Sequence, residues 1–178
     1  MRLSTDQKGN IAEAAIALAA IKLGIEVYRR LGEGGRYDLI FSVGDRLLRV
    51  QCKWSPLEGD VVVIRCYSTR RGPGGLLRRV YEPGEIDAFA AYCPALGRCY
   101  FLPYDEFVRR NQVALRIHPT RNNQATGVNW AEDYDFDARL SRLGAVAQLG
   151  ERPDGIREVT GSIPVGSITP AAPRPSLW

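Results

Sequence analysis

"RYDLIFSVGDRLLRVQCKW", residues 36–54, is the stretch whose reading decides the fold. Two apolar, β-branched runs flank Gly44-Asp45, which is the pattern of a hairpin with a two-residue turn. A hairpin centred on that turn sets Asp38 opposite Gln51 and Arg36 opposite Lys53, so Asp38, Gln51 and Lys53 share one face. Directly opposed Cβ atoms in such a pair lie about 4.5–5.5 Å apart, close enough for Asp38 and Gln51 to address one ion. Cys52 turns its side chain to the other face and offers only its backbone carbonyl. A slip of one residue would send one strand's polar set to the opposite side.

An exposed polar sheet face explains the same residues, because Arg36 and Arg49 have the same parity. Glu13 favours a site. "TDQKGNIAEAAIALAAIKLG", residues 5–24, is expected to be a helix over about 6–23, with Thr5 as N-cap and Gly24 as the stop. Its apolar residues, Ile11, Ala15, Leu18 and Ile21 among them, cover much of the circumference, which predicts a helix largely buried against a sheet. A carboxylate there costs several kcal/mol unless it is paired, and a divalent cation would pair it. Glu13, Asp38, the Cys52 carbonyl and the Gln51 amide oxygen then form an all-oxygen set for a hard cation, with Lys53 beside it. Phosphodiester hydrolysis needs such parts: a metal to activate water, and a cation near the scissile phosphate.

The rest of the chain supplies a sheet for this hairpin. "IEVYRR" (25–30) and "DVVVIRCYS" (60–68) read as strands, "IDAFAAYC" (86–93) and "RCYFLP" (98–103) as a second hairpin, and "YDEFVRR" (104–110) as a short helix. A helix followed by a mixed sheet, with helical additions later, is an α/β arrangement.

At this point the residues resemble the PD-(D/E)xK nuclease superfamily, and more closely its bacterial homing endonucleases associated with group I introns in tRNA genes. The matching stretches are "KGNIAEAAIALAAIKLG", "RYDLIFSV" and "LLRVQCKW", followed by "RCYSTRR", "EIDAFAAYCPALGRCYFLP" and "RNNQATGVNWAEDYDF". The resemblance covers about residues 3–137. It implies a restriction-endonuclease-like core in which an N-terminal helix precedes a central mixed β-sheet with flanking helices. In that family the helix supplies a glutamate, the next strand an aspartate and the following strand a (D/E/Q)-x-K element, positions that fall here on Glu13, Asp38, Gln51 and Lys53. Tyr37 replaces the proline of the family name, and Gln51 replaces its commoner acidic residue.

The implied activity is site-specific cleavage of double-stranded DNA by a homodimer or homotetramer, with Mg²⁺ as cofactor and Mn²⁺ able to substitute. Glu13, Asp38 and the Cys52 carbonyl are the implied metal ligands. The nearest enzyme alternative is a Holliday-junction-resolvase-like nuclease. The alternative from another class is a DNA-binding module with a decayed site.

A net charge of +4 and a pI near 9.0 are mild, but the distribution is not. Arg65, Arg70, Arg71, Arg78 and Arg79 gather around "RRGPGG", and of these Arg70, Arg71, Arg78 and Arg79 are expected to meet DNA phosphates. His118 is the only histidine, which removes a histidine-pair metal nuclease, and neither a P-loop nor a Ser-His-Asp set is present. The four cysteines lack metal-site spacing and read as reduced thiols. No apolar run is long enough for a membrane span, and the protein is expected in the cytoplasm.

Residues 1–143 are expected to form the endonuclease domain, and 144–178 a disordered tail. "GAVAQLGERPDGIREVTGSIPVGSI" (144–168) shows no foldable pattern. Its codons can read as a tRNA gene: Val-Ala-Gln-Leu-Gly-Glu-Arg as GTAGCTCAATTGGGTGAGCGC, like a D-arm, and Gly-Ser-Ile-Pro as GGTTCGATTCCC, like a T-arm.

Overall fold

A computed structural model describes residues 2–32, 34–72, 74–119 and 126–150, excluding the side chains of residues 70, 71 and 146–150. Helix α1 (Thr5–Lys22) begins one residue earlier than the sequence predicts. Ser4 is its N-cap: its hydroxyl accepts from the Gln7 backbone N–H, while the Gln7 side chain accepts from the Ser4 backbone, closing a capping box. At the other end Gly24 takes a φ of 76°, and the N–H groups of Gly24 and Ile25 reach back to the carbonyls of Ile21 and Ala20.

The expected burial of α1 is corrected. Its sheet-facing line is Ala12, Ile16 and Ala20, whereas Ile11, Leu18 and Ile21 are 39, 54 and 58% exposed. The alanines bring the helix close to the strands, so the large residues are left on the outer side. Helical periodicity places apolar residues around the axis without saying which of them faces the sheet.

β1 (Glu26–Arg29), β2 (Leu39–Val43) and β3 (Arg46–Trp54) follow. The β2–β3 hairpin has the predicted register, with Leu39 opposite Val50 and Val43 opposite Arg46, around Gly44 at φ 60°. β4 (Leu57–Glu58) and β5 (Val61–Arg65) come next. "DVVVIRCYS" is not one strand. It breaks at Cys66, whose N–H bonds the Asn111 carbonyl, and resumes as β6 (Tyr67–Gly72), which pairs with β7 (Gly75–Val80) in a separate two-stranded ribbon.

β8 (Ala88–Cys93) and β9 (Arg98–Pro103) form the second predicted hairpin. "YDEFVRR" gives only a 3₁₀ turn over Tyr104–Phe107. β10 (Gln112–Arg116) and β11 (Asn129–Trp130) precede α2 (Phe136–Gly150). That helix crosses the expected boundary between residues 143 and 144; the tail from 151 to 178 lies outside the described residues.

The central sheet has the order β1-β2-β3-β8-β9 and is mixed, because β3 and β8 run parallel while the other pairs are antiparallel. Alternation splits its strands between two cores. Val50, Cys52, Ala88, Ala90 and Phe101 face α1 and α2, where Phe136 is packed edge-on against Phe41 and Phe101. Phe89, Ala91, Tyr100 and Leu102 face the second sheet, of order β11-β10-β5-β4. Gln51 and Lys53 are on this second side by parity, next to Phe89 and Ala91 of β8. The foot of the β6–β7 ribbon covers them there.

All four cysteines are free; Cys52, Cys66 and Cys93 are buried and Cys99 is half-buried. Among the described residues no helix is long and apolar enough to cross a membrane.

Candidate active site

Asp38 is the last residue before β2, and its N–H bonds the carbonyl of Val50, the residue paired with Leu39 at the end of the ladder. Just beyond that pair the Asp38 and Gln51 side chains meet. The Asp38 Oδ2 atom accepts from the backbone N–H of Cys52 at 2.8 Å and from the Gln51 amide nitrogen. The same amide nitrogen donates to the Cys52 carbonyl at 3.3 Å. Gln51 thus turns its nitrogen toward the carboxylate and bridges Asp38 and the Cys52 carbonyl, two of the oxygens expected to hold a cation.

Lys53 is two residues further along β3. Its ammonium donates to the Tyr67 carbonyl at 3.0 Å and to the Tyr81 hydroxyl at 3.3 Å, and it lies 5.2 Å from the Tyr81 ring centre. Burial pulls the Lys53 pKa down to about 8, against the attraction of Asp38. Burial pushes the Asp38 carboxyl up to about 6, with the negative charge of Glu13 adding to the rise and the Cys52 N–H opposing it. Asp38, Gln51 and Lys53 line one open cleft of about 730 Å³ together with Arg36 and the ribbon residues Tyr67 and Arg79.

Glu13 reaches the site from α1. It shares a second cleft, of about 460 Å³, with Asp38, Tyr37 and Arg29. Its side chain is 23% exposed and pairs with the guanidinium of Arg29 on β1 at 2.9 Å. Helical periodicity places Glu13 on a buried helix and carries no sign of a partner on the neighbouring strand. Among the described residues no three His, Cys, Asp or Glu side chains come together as a metal-binding group. The donors within reach are two carboxylates and one main-chain carbonyl, a hard-oxygen set that fits Mg²⁺ or Mn²⁺ and not a soft metal.

Of the arginines expected to meet DNA, Arg78 and Arg79 are on β7. Arg78 lies over the Tyr67 ring at 5.0 Å, and Arg79 pairs with Glu85. Arg70 and Arg71 are on β6, where their backbones pair with Leu77 and Leu76; their side chains lie outside the described residues. His118 is away from the cleft.

Residues 3–137 match the family described as PD-(D/E)XK endonuclease. The chain belongs to that family. Among solved structures, that of a bacterial homing endonuclease, I-Ssp6803I, is similar with a TM-score of 0.66 and 28% identity, covering 83% of this chain and 99% of that one. No curated protein matches. In this PD-(D/E)XK endonuclease, Tyr37-Asp38 and Gln51-Cys52-Lys53 lie inside the matched residues. The α/β core with its N-terminal helix and mixed sheet is the fold the sequence predicts, and its activity is that of an endonuclease acting on DNA.

Two residues of the site escape a reading of the sequence. Arg36 shares the parity of Asp38, which suggests an exposed face, yet it is half-buried and bonds Ser68, Val80 and Glu85. Tyr81 has no local sequence signal. It reaches Lys53 only because the ribbon folds back beneath β3.

Proposed function

We propose that the chain is a divalent-metal-dependent endonuclease that cuts both strands of DNA at a chosen site, in the cytoplasm, as a homodimer or homotetramer. One observation carries the reading: a half-buried Asp38, raised toward neutrality and met among the described residues by an amide and a backbone N–H, stands in an open cleft beside Lys53. Glu13, Asp38 and the Cys52 carbonyl would hold Mg²⁺ or Mn²⁺, which supplies an activated water and offsets charge on the phosphate. Gln51 orients Asp38 and can turn its amide once a cation takes its place. Lys53 orients the attacking water or steadies the charge that develops on the phosphate oxygens. Two strands require two such sites, hence more than one copy.

The ribbon arginines Arg70, Arg71, Arg78 and Arg79 would grip the DNA backbone. Neutralising them should weaken binding across sequences and flatten its salt dependence by about one unit of slope for each arginine replaced. The deciding experiment is cleavage of a plasmid carrying the tRNA locus, with Mg²⁺ and with a chelator. Metal-dependent double-strand cuts that vanish in Asp38→Ala and Glu13→Ala, while DNA binding survives, support the reading. DNA binding with no cleavage under any divalent ion would leave a binding module.

The tail reading belongs to the same proposal. A frame running through a tRNA gene suits a mobile-element nuclease lodged at such a locus, and makes residues 144–178 dispensable. Because α2 continues to Gly150, truncations after Leu143 and after Gly150 separate the helix end from the rest. Thermal midpoint and cleavage should be unchanged in both; a loss in either shows that the removed segment serves the fold.

A further inference from the structure

Among the described residues, the two hydrogen-bond acceptors of Lys53 belong to one element. Tyr67 opens β6 and Tyr81 directly follows β7, and Tyr67 is paired with Val80, so both stand at the foot of the ribbon. Tyr81 is 2% exposed, with its ring edge-on to Phe89 at 5.2 Å and the Arg36 guanidinium 4.0 Å from its centre. The same guanidinium bonds the Ser68 hydroxyl on β6 at 2.8 Å, the Val80 carbonyl on β7 at 2.7 Å, and Glu85 at 2.9 Å. It therefore ties both ribbon strands to the chain segment that leads into Asp38.

An ammonium on a four-carbon stem has no preferred position of its own, and its place is set by its acceptors. We propose that the foot of the β6–β7 ribbon positions Lys53, with Tyr81 as the positioning residue and Arg36 as the clamp that holds the foot against the site. The proposal rests on the role given to Lys53 above. Its consequence is that the element carrying the DNA-facing arginines also places the lysine, so that a ribbon shifted on DNA moves the lysine with it. Arg36 fits the clamp role because its rigid planar fork holds acceptors on three separate segments, at Ser68, Val80 and Glu85, in fixed directions, whereas a lysine donates from a single point.

The test uses the full chain, Tyr81→Phe and Arg36→Lys. DNA affinity is measured with Ca²⁺ in place of Mg²⁺, single-turnover cleavage with Mg²⁺, and the state of Lys53 by the Hζ–Nζ peak of [¹⁵N]lysine-labelled protein, assigned by its loss in Lys53→Ala. Tyr81→Phe keeps the buried ring and removes one hydrogen bond. It should slow cleavage about tenfold, hold affinity within about twofold, and shift or broaden the Lys53 peak. Arg36→Lys should perturb the same peak through the loosened foot. An unmoved peak in both variants, or a rate loss in Tyr81→Phe no larger than its loss of affinity, would overturn the proposal. Wild-type cleavage by Lys53→Ala would overturn the role given to Lys53 in the proposed function instead, whatever the other two variants do to the peak.

Discussion

Asp38 and Asp87 are placed alike and behave in opposite ways. One precedes β2 and the other β8, the two neighbours of β3, and each carboxylate accepts a hydrogen bond from a β3 backbone N–H: Cys52 at 2.8 Å for Asp38, Arg49 at 2.7 Å for Asp87. The difference lies in the side chain that follows. Arg49 folds onto Asp87 with Nε and Nη2 each at 2.9 Å, and these bonds hold the Asp87 carboxyl below the usual range. Asp38 receives the uncharged amide of Gln51, and burial dominates, raising it to about 6. A half-buried carboxylate by itself says little about function. A half-buried carboxylate denied a guanidinium is a candidate ligand for some other cation.

The contrast is broken most directly by removing each charge. Asp38→Asn should reduce cleavage by about a hundredfold or more, since changes in outer-shell partners alone already cost tenfold or more. Asp87→Asn, assayed below its melting temperature, should leave the single-turnover rate within about twofold. Equal losses would erase the distinction between the two carboxylates.

Stability should separate them in the other direction. Asp87→Asn leaves Arg49 without its partner and should cost about 1–2 kcal/mol by denaturant unfolding, a modest figure because the pair is more than a third exposed on the arginine side. Asp38→Asn in chelator at pH 7.5 should raise the midpoint, because an amide keeps an oxygen for the Cys52 N–H and relieves a desolvated charge. Gln51→Glu sharpens the same point. Without metal it should lower the midpoint by adding a second carboxylate, and calorimetry should show divalent-ion affinity rising about tenfold.

The pH dependence of the metal-free protein tests the same contrast. A carboxyl whose folded pKa is raised binds its proton more tightly in the native state, so its contribution to stability declines as pH rises from the unfolded value to about 6, and is level above that. Asp87, held low, contributes stability that is lost as pH falls through its folded pKa. Wild type in chelator should therefore lose stability between about pH 4 and 6 relative to Asp38→Asn. Parallel curves would remove the raised carboxyl.

The parts of the site legible in the sequence are the parts made locally. Gly44-Asp45 fixes the turn, the turn fixes the register, and the register brings Asp38 to Gln51 with Lys53 on the same face. What was not legible depends on long-range folding. The partner of Glu13 is on β1, the acceptors of Lys53 come from the ribbon foot, and the strand break at Cys66 is made by a bond to Asn111 in a distant loop. Burial of α1 failed for another reason: the approach of the helix is set by its small residues, Ala12 and Ala20, and large side chains are then excluded from the contact.

The parallel pairing of β3 with β8 also orders events as the chain folds. Everything from Ser55 to Asp87 is threaded between these neighbouring strands, so their union must wait for a long loop to close. The β2–β3 hairpin needs no such closure and can form in about 1–10 μs. Asp38 and Gln51 therefore meet early, in a chain whose lysine is still unplaced. A nascent or partly unfolded molecule would hold the Asp38–Gln51 pair before Lys53 has its acceptors at the ribbon foot.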